Sequence, residues 1–239
     1  MKINKKDLFL TLLLPIQIVL VQIAGKHPAI VERYYSDGFY PIIAAFFRIL
    51  FGWIPFSFGD IVLASLLFWL LRFIYKLIKN RAENWVPKML QLTAVLSVLY
   101  GCFYLFWGLN YYRMPLAKNL GYDQTKYTTQ QLIHTTEQVI EQLNFYQQKI
   151  AQNDSLRVIN PYSQQQMYEM ALEGYQNLAQ DFPTLNYKHP SVKSSLMSGL
   201  QSYMGTGGYF NPLSGEAQIN ERIPKTGYPT TICHEMAHQ

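Results

Sequence analysis

The stretch Thr231-Ile232-Cys233-His234-Glu235-Met236-Ala237-His238-Gln239 decides how this chain is read. Set on a helix, His234 and His238 are four residues apart, so both imidazoles leave one face about a turn apart. Two neutral imidazoles at that spacing can fill two corners of a zinc tetrahedron. Glu235, next to the first of them, is placed to take a proton from water rather than to bind the metal. The chain holds only 5 His in 239 residues, so a pair enclosing a Glu at this spacing stands out. Ile232, Met236 and Ala237 are uncharged, as a helix buried behind a metal cleft requires, because charges there would be desolvated. Cys233 points about 100° around the helix from His234 and is expected to pack rather than ligate. The expected site is therefore His234 and His238 as zinc ligands with Glu235 as the catalytic base.

Just upstream, Pro229 or Thr230 suits the first turn of this helix. Gly215-Glu216-Ala217-Gln218-Ile219-Asn220 alternates polar and apolar residues, as a half-buried strand does. Met204-Gly205-Thr206-Gly207-Gly208-Tyr209-Phe210-Asn211-Pro212 reads as a glycine-rich loop. It lacks the Lys-Ser/Thr ending of a phosphate loop and follows no parallel strand, which excludes nucleotide binding. A helix is expected from Thr128 or Thr129 to about Gln152, with Leu132, Val139, Leu143, Tyr146 and Ile150 in a stripe. A second fits Ser163 to Gln180, with Met167, Met170, Ala171, Tyr175 and Leu178 inward and Pro183 ending it. Both stripes read as core packing. His134 and His189 have no partner at ligand spacing and are not candidate ligands.

The first half has a different character. Hydrophobic residues make up 49% of the chain and charged residues only 15%, well below the roughly 25% of soluble domains. Residues 1–109 hold 11 basic and 5 acidic residues, a net of +6, whereas 110–239 hold 9 and 10, a net of −1. The basic balance belongs to the apolar half, so it gives no ground for nucleic-acid binding. Leu8 to Ala24, Ile61 to Ile74 and Leu90 to Leu109 are expected to cross the bilayer. A cleavable signal peptide competes for the first of these, but Gln22 spoils its small-x-small cleavage pattern. The hairpin between the second and third runs carries Arg72, Lys76, Lys79, Arg81 and Lys88 against Glu83, and Lys2, Lys5 and Lys6 precede the first. By the positive-inside rule both lie in the cytoplasm, which puts residues 110–239 outside the inner (cell) membrane. Ile42 to Trp53 is either an interfacial helix or an extension of the second span. Asp60, at a span end, is expected to reach water. Two cysteines, Cys102 and Cys233, make no disulfide framework.

These readings give a mainly α chain: a membrane domain over 1–109, with three transmembrane helices and an interfacial helix, and an extracytoplasmic α+β domain over 110–239. The order of strand, loop and His-Glu-x-x-His helix resembles the zincin metallopeptidase fold. That resemblance implies zinc, a peptide or protein substrate, and an edge strand pairing with it; Glu216, Ala217, Gln218, Ile219 and Asn220 would be that strand. It also implies a third ligand on a following segment, so this chain is expected to be a fragment with an incomplete site. Nearly the whole chain further resembles a bacterial membrane family, domain-of-unknown-function family 3810. The matching residues are Trp53-Ile54-Pro55-Phe56-Ser57 with Gly59-Asp60, Trp107-Gly108-Leu109-Asn110-Tyr111-Tyr112-Arg113, Gly215 to Asn220, and His234 to Gln239. The rival expectation is a non-catalytic envelope protein with a vestigial or structural metal site.

Overall fold

The computed structural model describes residues 4–80, 85–119, 121, 126–182 and 188–238. Helix α1 (Lys5–Gly25) leads through a short turn, α2 (Pro28–Ile30), into wide π-helical turns over Val31–Phe39 and then α3 (Tyr40–Gly52). Next come α4 (Phe58–Lys79), α5 (Trp85–Phe106), a 3-10 turn over Gly108–Tyr112 and α6 (Leu116–Asn119). After α7 (Thr129–Ala151) and α8 (Gln164–Asp181), β1 (Val192–Ser194), α9 (Ser198–Met204), β2 (Gly208–Asn211), β3 (Glu216–Ile219) and α10 (Tyr228–Ala237) complete the chain. The fold is mainly helical, with one small sheet.

Among the described residues three helices, α1, α4 and α5, are long and apolar enough to cross a membrane, with 21, 22 and 22 residues. Their side chains lie open because apolar surface that faces lipid needs no protein cover. Helices α1 and α5 run parallel. Thr11 Oγ1 donates to the Leu90 carbonyl (3.1 Å), Gln17 packs against Gly101, and Gly25 meets the Tyr112 ring, so the contacts advance together along both. Parallel first and third helices are what three successive crossings require. Helix α3 is separate from α4. Pro55 interrupts the link, and Ser57 starts α4 afresh, its Oγ accepting the Asp60 amide at 2.9 Å.

The chain forms two compact units, Met1–Arg113 with Met167–Gln239, and Met114–Gln166. In the smaller unit, α7 starts with the capping box that Thr128 and Gln131 promise. Its stripe of Leu132, Val139, Leu143, Tyr146 and Ile150 is exposed rather than core, because the described part of its own unit offers no second layer to cover it. In the larger unit, Met167 and Ala171 of α8 are buried and Tyr175 is partly so. Met170 and Leu178 are not buried, which narrows the expected stripe. Pro183 lies outside the described residues.

The sheet order is β1-β3-β2, with β1 parallel and β2 antiparallel to β3. The strand expected over Glu216 to Asn220 is present but central, flanked on both sides, so it is not an edge strand. The glycine-rich segment read as a loop supplies the edge, β2. A four-residue connection joins the two, with Gly215 at φ +66, a left-handed turn that suits glycine. All of β3 is buried, not half-buried. Ile219 faces the apolar core of Met167, Ala171, Tyr228, Ile232 and Met236, while Glu216 and Gln218 face the start of α4.

Candidate functional site

Helix α10 opens with Pro229 in its first turn and buries Tyr228, Ile232 and Met236 against β3 and α8. Those three anchors fix the helix rotation and turn the two histidines outward, His234 exposed and His238 half-buried. Their Nε2 atoms converge to 3.3 Å, with the rings edge-on at 4.9 Å and 85°. Neutral rings at that separation can share one hydrogen bond. It is also the edge of a tetrahedron whose Zn–N arms are about 2.0–2.1 Å, since two such arms at the tetrahedral angle end about 3.3–3.4 Å apart. The pair thus fits the metal that the spacing implies. Burial pushes the His238 pKa down, and the neighbouring His234 adds to it; this favours the neutral, ligating form. Among the described residues no third His, Cys, Asp or Glu joins the pair.

Glu235 is only 6% exposed and lies beside β2. A Cβ on Gly208 would sit 2.9 Å from its Cγ and 3.2 Å from its Oε1, so the absent side chain is what lets the carboxylate lie there. Burial raises the Glu235 pKa, and His234 partly offsets this. The result is a stronger base than a solvated carboxylate. Cys233 is partly buried against the core, as expected of a packing residue, and its carbonyl accepts from Tyr175 Oη at 2.8 Å.

Strand β2 is an edge of the sheet, and among the described residues no strand pairs with its far side. The Asn220 amide donates to the Gly207 carbonyl at 2.9 Å, which makes residues 207, 209 and 211 the ones paired with β3. By antiparallel alternation the main-chain groups of Gly208 and Phe210 point away from β3. The Phe210 ring meets Trp107 at 5.4 Å, and Trp107 in turn meets the His238 ring at 5.9 Å. Trp107 Nε1 and Tyr40 Oη both donate to the His238 carbonyl, at 3.0 and 3.2 Å. Sequence reasoning missed Tyr40, Gly208 and Tyr209. The last two were legible as one arm of a hairpin, since four residues with Pro and Gly separate 208–211 from 216–219.

Behind the strand, two buried carboxylates tie the sheet to α4. Glu216 accepts from the Gly59 amide (2.7 Å), the Phe58 amide (3.3 Å), Ser214 Oγ (2.8 Å) and Gln218 Nε2 (3.0 Å), and pairs with Lys193 Nζ at 2.8 Å. It therefore sits at the positive end of the helix. Asp60, expected to reach water, is instead 1% exposed. It accepts from the Leu196 amide (2.6 Å), Ser195 Oγ (2.9 Å) and Tyr209 Oη. The partly buried Tyr209 hydroxyl is driven well above its ordinary pKa by desolvation and then by this carboxylate. Glu216 to Ile219 are thus paired on both sides within the sheet, which leaves them no free strand edge.

The family-resembling segments, far apart in sequence, meet around α10 and β3. No curated protein and no solved structure matches the chain. One family does, over residues 35–239, and it includes each of the four segments that converge here. The chain belongs to that family, described as protein of unknown function (DUF3810).

Proposed function

We propose that the full-length protein is a membrane-anchored, zinc-dependent metallopeptidase working outside the cytoplasm of an inner-membrane-spanning chain. The observation that supports this most is the convergence of the His234 and His238 Nε2 atoms to 3.3 Å beside a buried Glu235 at an open strand edge. His234 and His238 would hold the zinc, with a third ligand expected beyond the described residues. Bound zinc would polarise the scissile carbonyl and lower the pKa of water to roughly 7. Glu235, with its basicity raised by burial, would take the proton of the attacking water and pass it to the leaving amine. An extended peptide would pair with the outward main-chain groups of Gly208 and Phe210 on β2. This moves the substrate strand from residues 216–220 to residues 208–211.

The test is made on full-length protein in detergent or nanodiscs. Zinc content should fall for His234→Ala and for His238→Ala. Glu235→Gln should keep the metal and lose hydrolysis on the order of 10²–10⁴-fold. Full activity in Glu235→Gln would remove the assigned base, and a metal-free wild-type protein would favour the non-catalytic reading.

A further inference from the structure

Helix α9 buries Ser198 and Gln201 and turns the rest of its surface out. Leu200, Tyr203 and Met204, spaced i, i+3 and i+4 on one face, are 57, 91 and 66% exposed, and Leu196 just before them is 62% exposed. Four large exposed apolar side chains on so short a segment are the kind of concentration that marks an interaction surface. What covers it follows from where the patch begins. The Leu196 amide donates to Asp60 Oδ2 at 2.6 Å, and Asp60 stands in the first turn of α4, one of the helices long enough to span a membrane. Leu196 is therefore fixed at the rim of that span.

From there α9 extends for seven residues, about 10 Å at 1.5 Å per residue. The polar layer on each side of a bilayer core is about 5–8 Å deep, so the patch stays at interfacial depth or just above it. Its chemistry suits that depth. The most exposed member is a tyrosine, whose ring and hydroxyl favour the headgroup boundary. The exposed Arg222 guanidinium packs beside Gly199 of the same helix, with Nη1 3.3 Å from where a Cβ would stand. A cation next to an apolar face matches lipid phosphate over acyl chain. We infer that Leu196, Leu200, Tyr203 and Met204, with Arg222, form a second membrane contact outside the spans, seating the segment that leads into β2 on the phospholipid surface.

The experiment uses unmodified full-length protein in nanodiscs of phosphatidylethanolamine and phosphatidylglycerol, doped with a phospholipid carrying a photoactivatable diazirine near the glycerol. Mass spectrometry after illumination should find lipid adducts on residues 196–204 at tenfold or more the yield on the exposed face of α8. Leu200→Glu with Met204→Glu should cut the adducts on this segment severalfold and leave those on α4 unchanged. Adducts confined to the spans and α3 would overturn the inference, and so would a patch shielded by a second copy or by another protein, which also gives no lipid adduct. Hydrolysis is not read, so this result and the fate of the peptidase proposal are separable.

Discussion

Glu216 accepts from five donors, and only one of them, Lys193, is a side-chain cation. The two partners should therefore not be equally costly to remove. Glu216→Gln turns an amide N–H₂ toward main-chain donors and leaves the buried Lys193 ammonium with the Phe51 carbonyl but no counter-charge, so a loss of about 3–5 kcal/mol is expected. Lys193→Met leaves the carboxylate four donors and should cost clearly less, although the Phe51 carbonyl loses its 2.6 Å contact. Thermal unfolding of the full-length protein in one detergent compares them, and equal losses would refute the ordering. Gly208→Ala puts a Cβ 2.6 Å from the Gln218 carbonyl as well as against Glu235. It should lower stability by about 1–3 kcal/mol and cut hydrolysis further than the stability loss explains, measured as activity per folded molecule. At this scale the sequence was legible where chemistry is local. The His234, Glu235 and His238 set follows from helical spacing alone. The burial of Asp60 does not, because its partners Ser195, Leu196 and Tyr209 lie at least 135 residues further along the chain.

Strands and helices differ in how clearly they announced themselves. Helices α7 and α8 and the three long apolar helices fall within a few residues of where periodicity and capping put them, since those signals sit inside each element. The π-helical turns over Val31–Phe39 carried no such signal. Strand β2 was hidden by Gly207 and Gly208, which read as loop although they serve close approach to Thr231 and Glu235. The position of β3 depends on two partners from elsewhere in the sequence, so its alternation could not tell an edge from a centre. The revised sheet order gives a paired test. Ala217→Pro deletes an amide that donates to the Ser191 carbonyl at 2.9 Å, so stability and metal content should fall together. Phe210→Pro deletes an amide on the open side, so fold and zinc should persist while turnover drops. Phe210→Ala serves as the control for loss of the Trp107 ring contact. A Phe210→Pro enzyme that cleaves normally would show that β2 does not hold the substrate.

At the scale of the whole molecule, the charge pattern predicts which ends of the spans face the cytoplasm. Parallel α1 and α5 place their first residues, Lys5 and Trp85, at the same end of the pair. A reporter enzyme active only after export should be silent when fused after Asn80 and active when fused after Tyr127; the reverse would put the candidate site in the cytoplasm. The grip of Glu216 and Asp60 on the first turn of α4 has a practical consequence. A chain begun at Asn110 keeps the sheet and the His-Glu-x-x-His helix but forfeits the Phe58 and Gly59 amides, which leaves Glu216 three of its five donors, and forfeits the Asp60 carboxylate that accepts from Tyr209, Ser195 and Leu196. Such a water-soluble excision is expected to aggregate or stay molten whatever solubility tag it carries. The half that carries the His-Glu-x-x-His helix is thus no detachable cassette: it can be moved, purified or shuffled between proteins only together with the greasy helices that complete its floor.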